Sequence, residues 1–116
     1  MGVARSTYKK GKVEVIIVDD GSDDNSIKLI EKFPEIKLYK NFKNTGFSST
    51  VDNGVSYATG EILLLINTDV YPDKDFLDPL LSHFKDERVF AVGCMDKSIE
   101  GKDVVLRGRG IGDWNR

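Results

Sequence analysis

The sequence contains a single cysteine, Cys94, and no apolar stretch that approaches the roughly 20 residues of a membrane-spanning helix. One cysteine excludes a disulfide within the chain and is typical of proteins from a reducing compartment. The residues just before Cys94 are mostly apolar, which predicts a buried thiol with a structural role. The first residues lack the apolar core of a signal peptide. We therefore expect a cytoplasmic location, or one at the inner face of the membrane for a longer protein.

A surplus of basic residues is also absent. The chain has 17 Lys and Arg against 19 Asp and Glu, a formal net charge of −2. Nucleic-acid-binding domains usually carry the opposite balance, so we expect no nucleic-acid partner. Hydrophobic residues make up 40% of the chain and charged residues 31%, as in soluble globular proteins. We predict one domain over residues 1–116, with a flexible lead at 1–12 and a mobile tail at 108–116.

Two apolar runs end abruptly on polar residues. The first run is Val13–Val18 and the second is Ile62–Ile66. They are followed by Asp19-Asp20-Gly21-Ser22 and by Asn67-Thr68-Asp69. Such runs are typical of buried strands, and ligands of open α/β sheets bind at the carboxyl ends of the strands. If both tips lie at one edge of a sheet, they predict a site for a cation and a polar, phosphorylated ligand.

Strand-like and helix-like segments alternate along the chain. Strands are predicted at Val13–Val18, Ile36–Tyr39, Ile62–Ile66 and Val89–Cys94, with a short fifth at Val104–Leu106. Helices are predicted at Ile27–Phe33, Phe47–Ala58 and Asp75–Lys85. This order predicts a three-layer α/β/α architecture with a mostly parallel sheet and right-handed crossovers.

Each motif also has a purely structural interpretation. Asp19 and Asp20 are either hydrogen-bond acceptors for the base or sugar of a ligand, or turn and helix-cap residues. Asp69 is either a ligand of Mg²⁺ or Mn²⁺ that in turn holds a diphosphate, or part of a turn that leads into the next helix. Gly46 lets the backbone come close either to a ligand or to the sheet. The residues alone leave these alternatives open.

Three segments taken together, in this order, resemble the nucleotide-binding part of family 2 glycosyltransferases of the GT-A fold. They are VDDGSDDNS at 18–26, NTGF at 44–47 and ATGEILLLINTD at 58–69, with a proline soon after. The resemblance runs from about Val13 to about Cys94, most of the chain. It implies a Rossmann-like domain of the nucleotide-diphospho-sugar transferase type, here partial and apparently truncated. It also implies transfer of a sugar from a nucleotide diphosphate donor to an unknown acceptor hydroxyl, in polysaccharide or glycan synthesis, with Mg²⁺ or Mn²⁺.

The resemblance assigns roles to individual residues. The implied nucleotide-binding set lies at the tip of the first strand, in the loop before the second helix and at the start of the D-x-D signature: Asp19, Asp20, Gly21, Ser22, Asn44, Gly46, Phe47 and Asn67. Within it, the acidic pair is implied to contact the base and ribose of the donor. Asp69 matches the last, metal-binding aspartate of the signature, and Asn67 replaces its first.

The sequence departs from the family pattern in two places. Nothing before Val13 resembles the opening strand with its proline and tyrosine-asparagine motif. No carboxylate after Cys94 stands in a recognisable catalytic context, so the catalytic base stays unknown. We predict a fragment or a short relative that keeps partial donor and metal binding but lacks full transfer activity. A missing central strand would leave unpaired edges, which predicts homo-oligomers formed through exposed strands.

Two other classes of protein fit part of the pattern. A receiver-like signalling domain also has an acidic pair after its first strand and a phosphoacceptor aspartate after its third, here Asp69. It requires in addition a hydroxyl residue at the tip of the fourth strand and a Lys-Pro pair, and the sequence has neither. The third class is a non-catalytic interaction domain with a decayed site, for which Asp69→Ala would change neither metal nor nucleotide binding.

Overall fold

The computed structural model of the chain describes residues 13–108. The chain divides into two compact units, with the boundary between Pro72 and Asp73. Every predicted site residue lies in the first unit.

A parallel strand pair with a helical crossover forms the centre of the first unit. Strand β1 is Val15–Asp19, helix α1 is Ser26–Ile30 and strand β2 is Ile36–Lys40. The strands pair in parallel, from Val15 opposite Ile36 to Asp19 opposite Lys40. Parallel strands need a crossover between them, and α1 lies within it. This βαβ arrangement confirms the α/β class and brings the carboxyl ends of both strands to one edge.

Helix α2, Phe47–Tyr57, packs on β1. The close approach is at Gly54, where a Cβ atom would lie 3.4 Å from Cγ2 of Val18. The ring of Tyr57 stacks on that of Tyr39 in β2, with centroids 3.8 Å apart and an interplanar angle of 9°. The helix predicted at 47–58 is therefore present, and its small residues allow tight packing on the strand.

Glu14, just before β1, connects the strand pair to the residues after α2. Its carboxylate pairs with Lys37 and accepts hydrogen bonds from the Thr59 backbone N–H at 3.0 Å and the Thr59 hydroxyl. The hydrogen bond from Lys37 is the main cause that lowers the pKa of Glu14, and the Thr59 N–H adds to it. Inside the unit, Ile30 and Ile36 are buried.

The third predicted strand is not formed. Ile62–Ile66 pairs with no strand among residues 13–108, and its side chains are exposed, that of Leu65 at 68%. An apolar run becomes a buried strand only where neighbouring strands satisfy its backbone and other elements cover its faces. In the described part of the chain, only three apolar side chains are buried and none of them belongs to this run, so no other element covers it.

The fourth predicted strand, Val89–Cys94, is not formed either. Val89 N–H closes a turn onto the Asp86 carbonyl at 2.9 Å, and Phe90 is 87% exposed. Cys94 is exposed, so the prediction of a buried thiol is wrong. That prediction depended on a buried strand, and without strand pairing the apolar neighbours do not enclose the sulfur.

The second unit contains a helix and an antiparallel hairpin. Helix α3 is Leu77–His83, strand β3 is Met95–Glu100 and strand β4 is Asp103–Gly108. The hairpin turns at Gly101, whose φ of 65° suits a two-residue loop. Gly108, where the predicted tail begins, is the last residue of β4. The rest of that tail and the lead at 1–12 lie outside the described residues. No helix within residues 13–108 is long and apolar enough to cross a membrane.

Candidate functional site

The turn after β1 is closed by its own first carboxylate. The Ser22 backbone N–H donates to Asp19, 3.2 Å from Oδ1 and 3.3 Å from Oδ2. Gly21 has a φ of 91°, which a residue with a side chain rarely adopts. A Cβ at Gly21 would lie 3.7 Å from the backbone nitrogen of Asn44. The turn and the segment that follows β2 therefore approach each other at their backbones.

Asp20 binds the loop between β2 and α2, residues 41–46. Its Oδ1 accepts hydrogen bonds from the Thr45 backbone N–H at 2.8 Å, the Thr45 hydroxyl at 2.9 Å and Asn41 Nδ2 at 2.8 Å. Its Oδ2 accepts the Gly46 backbone N–H at 2.8 Å. These donors lower the pKa of Asp20, with the Asn41 amide as the largest cause and the Thr45 N–H next. Asp20 is therefore held as an anion by neutral donors of one loop.

Asn41 extends this network to the helix. Its Nδ2 lies 3.1 Å from Thr50 Oγ1, and its Oδ1 accepts a hydrogen bond from Asn53 Nδ2 at 2.8 Å. Its backbone N–H donates to the Asp19 carbonyl at 2.8 Å. Through Asn41, the ends of β1 and β2 are tied to α2.

The sequence analysis did not assign Asn41, Thr45, Thr50 or Asn53 to the site, although Thr45 lies within the quoted NTGF motif. The available signal was the position of Asn41, a polar residue directly after a strand at the carboxyl edge of a parallel pair. The two α2 residues gave no such signal, because polar helix residues are usually solvent-exposed.

Gly46 and Phe47 begin α2. Gly46 has φ 85° and ψ 169°, a region of backbone conformation used almost only by glycine. The ring of Phe47 is 75% exposed. Asn44 is exposed too, and within residues 13–108 its side chain makes no hydrogen bond. The structure therefore brings Asp19, Asp20, Gly21, Ser22, Asn44, Gly46 and Phe47 into one region around the strand tip.

Asn67 and Asp69 are not tied to this region. They lie in an exposed turn in which the Val70 N–H donates to the Asn67 carbonyl at 3.2 Å. Among the described residues, neither side chain forms a hydrogen bond or ion pair with the β1 tip or with the 41–46 loop. Their convergence with Asp19 and Asp20 stays a prediction, because the strand that would deliver them to the sheet edge is not formed.

The geometry of the strand tip agrees with what comparison with known proteins finds. The family described as "Glycosyl transferase family 2" matches residues 3–115, nearly the whole chain. The chain belongs to glycosyl transferase family 2. Membership confirms the resemblance carried by the three sequence motifs, and it implies the GT-A fold, of which the β1, α1 and β2 arrangement is a part.

Several curated relatives are named as glycosyltransferases or glycan synthases. The chain is 34% identical over 76 residues to a cholesterol galactosyltransferase of Borreliella burgdorferi, covering 62% of this chain and 21% of that protein. It is 35% identical over 60 residues to a dolichyl-phosphate beta-glucosyltransferase of Trichomonas vaginalis, covering 48% and 18%. With the poly-beta-1,6-N-acetyl-D-glucosamine synthase of Staphylococcus aureus it shares 26% identity over 101 residues, covering 84% and 24%.

This family 2 chain spans between 18% and 24% of the length of the three curated relatives named above. No solved structure matches it. The residues that the family matches, 3–115, include the strand tip and the 41–46 loop. Family membership favours a transferase over the receiver-like alternative, for which the hydrogen-bonded 41–46 loop has no role.

Proposed function

We propose that this chain forms the donor-binding part of a glycosyltransferase that moves a sugar from a nucleotide diphosphate to an acceptor hydroxyl. The observation that supports it most is the network between Asp20 and the 41–46 loop, because it assembles two separate family motifs into one polar region. A nucleotide offers that region ribose hydroxyls and base N–H groups, which suit the remaining acceptor positions of Asp19. The whole protein's acceptor and its catalytic base lie outside this proposal.

The proposed nucleotide-binding set follows from where these residues lie. Gly21 provides the tight turn. The side-chain amide of Asn44 is exposed and has no hydrogen-bond partner among the described residues. The first backbone N–H groups of α2 have no partner within the helix, which suits an anionic group. The full set is Asp19, Asp20, Gly21, Ser22, Asn44, Gly46, Phe47 and Asn67.

A divalent cation, Mg²⁺ or Mn²⁺, is proposed to bind Asp69 together with the donor. Within residues 13–108 no three His, Cys, Asp or Glu side chains group closely enough to hold an ion. In nucleotide sites Mg²⁺ is commonly held by one or two carboxylates and by the phosphates of the substrate. Asp69 therefore fits a cation that arrives with a diphosphate, and does not fit one held by the protein alone. When bound, such an ion neutralises charge on the departing diphosphate.

The experiment is a calorimetric titration with nucleoside diphosphates and their sugars, with and without Mn²⁺. We expect saturable binding that depends on Mn²⁺ and prefers one base, and no binding of Mn²⁺ by itself. Asp69→Asn should weaken the Mn²⁺-dependent binding by about tenfold or more, since a charged ligand of the metal is lost. Asp52→Asn changes charge equally on an exposed position of α2 and should leave binding unchanged.

Two results would point to the rival classes. Equal nucleotide binding by wild-type protein and Asp69→Asn, or none by either, would support an interaction domain with a decayed site. Transfer of a phosphoryl group from acetyl phosphate to Asp69 would support a receiver-like domain. A cytoplasmic location is proposed on the same grounds as before, the single cysteine and the lack of a long apolar stretch.

A further inference from the structure

We propose that Asp20 is a positioning residue that acts on donor binding through the 41–46 loop and does not itself touch the donor. The inference rests on the proposed function, and it divides the acidic pair into two different roles, with Asp20 contributing to the nucleotide-binding set through the loop and not by contact. Asp19 is left as the member of the pair that faces a ligand.

Most acceptor positions of Asp20 are already used by the protein. Thr45 supplies two donors, Asn41 one and Gly46 one, all between 2.8 and 2.9 Å. A carboxylate offers roughly four lone-pair sites, two on each oxygen. Three of these donors share Oδ1, and the Gly46 N–H uses Oδ2. A ribose hydroxyl or base N–H could bind Oδ1 only by displacing one of its three donors, and at Oδ2 it would share the oxygen with the Gly46 N–H. Loss of the Thr45 or Gly46 bond would leave a backbone N–H of the loop without its partner, which is unfavourable.

The bonds made by Asp20 also determine the path of the loop. Thr45 and Gly46 donate through their backbones, so the carboxylate fixes main-chain atoms and not only side chains. Gly46 is held in a conformation that few residues adopt, at the first turn of α2. Asn44 lies directly before these two residues, so its exposed amide is presented from a segment that Asp20 holds in place.

Asp19 differs from Asp20 in this respect. Its carboxylate accepts one donor among the described residues, the Ser22 N–H, at 3.2 and 3.3 Å. That bond closes the turn at residues 19–22, and no donor of the 41–46 loop binds the Asp19 carboxylate. Acceptor positions remain on both oxygens of Asp19 for a ligand. The lowered pKa of Asp20 fits its role, because neutral donors that stabilise the anion keep the loop bound at neutral pH.

Asp20→Asn and Asp19→Asn form a matched pair for the test. Each removes one negative charge and keeps the size of the side chain. In Asp20→Asn, an NH₂ group replaces one of the two acceptor oxygens, so either the Thr45 N–H or the Gly46 N–H loses its acceptor. Two measurements are made on the 116-residue chain. They are hydrogen exchange of the Thr45 and Gly46 amides by NMR without nucleotide, and the Kd of each nucleoside diphosphate with Mn²⁺.

If the inference holds, Asp20→Asn lowers the protection of at least one of the two amides. It also weakens every nucleotide that binds by the same factor, roughly tenfold or more, since bonds to a charged group are lost. Asp19→Asn weakens binding but keeps wild-type amide protection. Unchanged protection in Asp20→Asn with weaker binding would overturn the inference, because it would mean direct contact with the donor. The inference would also be overturned if Asp20→Asn raised the Kd by factors that differ between nucleotides with different bases.

Thr45→Val serves as the second variant, because it removes one hydroxyl donor and keeps the backbone. It should lower Gly46 amide protection and nucleotide affinity together, and its effect should not add to that of Asp20→Asn. If Asp20→Asn does not fold, unchanged affinity in Thr45→Val with lowered protection overturns the inference by itself. If the wild-type chain binds no nucleotide, the proposed function fails and the inference fails with it. If it binds and only the Asp20 results disagree, the inference alone fails.

Discussion

Gly46→Ala tests whether the conformation at the start of α2 is fixed by its surroundings. Gly46 has φ 85° and ψ 169°, a combination that an alanine adopts only with strain of about 1–3 kcal/mol. No heavy atom lies within 4 Å of the position where its Cβ would stand, so steric contact adds nothing. The strain arises from the backbone alone, which makes its size predictable.

The net effect on stability is smaller than the strain. Replacing glycine by alanine also restricts the unfolded chain, which stabilises the folded state by about 0.4–1 kcal/mol where the native conformation is compatible. With strain of about 2 kcal/mol, near the middle of its range, Gly46→Ala should lower the free energy of unfolding by about 1 kcal/mol.

Gly60→Ala is the matched control, because Gly60 does not have a positive φ and its Cβ would meet only the Ile62 carbonyl oxygen, at 3.6 Å. It shares the effect on the unfolded chain but not the strain. The difference between the two variants should therefore equal the strain itself, about 2 kcal/mol.

The assay is urea unfolding followed by circular dichroism, with stability taken from the midpoint and slope. Equal stability of Gly46→Ala and Gly60→Ala would refute the reasoning. It would show that the loop relaxes to another conformation without losing the bond from Gly46 N–H to Asp20. The slope must stay unchanged between variants for the comparison to measure stability.

The remaining predictions concern acid and association. Because the folded-state pKa of Asp20 lies below its unfolded value, acid favours the unfolded chain, and the stability Asp20 contributes should be lost below about pH 4. In urea titrations at pH values from neutral to 3, Asp20→Asn should have a lower free energy of unfolding at neutral pH than the wild type, and should lose less of it on acidification. An equal loss of stability in both proteins would contradict this. The exposed run Ile62–Ile66 should promote pairing between copies, so light scattering should show mass rising with concentration and Leu65→Lys should reduce it. A monomer at every wild-type concentration would contradict the association.

The sequence predicts those elements whose signals are local. Helix α2 was predicted at 47–58 and runs from Phe47 to Tyr57, because a glycine precedes it and Thr59-Gly60 follows it. The parallel pair of β1 and β2 follows from two apolar segments separated by a helical crossover. Each of these elements is stabilised mainly by residues close to it in the chain or across one pairing.

The partners of Asp20 could not be predicted in the same way. Its donors come from Asn41, Thr45 and Gly46, more than 20 residues further along the chain. Nothing in the DDGS motif shows which of the two carboxylates accepts them. The choice depends on the pleat of β1, which turns successive side chains to opposite faces, and on the exact end of the strand. Element boundaries are the part of a sequence prediction that is least certain.

The two parts of the proposed site, the β1 tip with the 41–46 loop and the segment that carries Asp69, are stabilised by different interactions. The β1 tip and the 41–46 loop are fixed by short polar contacts, which form wherever donor and acceptor meet and need no large core. The placement of Asp69 depends instead on burying Ile62–Ile66, and burial requires neighbouring apolar surface in proportion to the area covered. Among residues 13–108 only Ile30, Ile36 and Leu77 are buried apolar side chains, so the run is not covered and Asp69 is not fixed by it. A donor that contacted Asp19 and a cation on Asp69 at once would bind only the state in which 62–66 is a strand and Asp69 lies at the β1 tip. Such a donor would therefore stabilise that state by mass action.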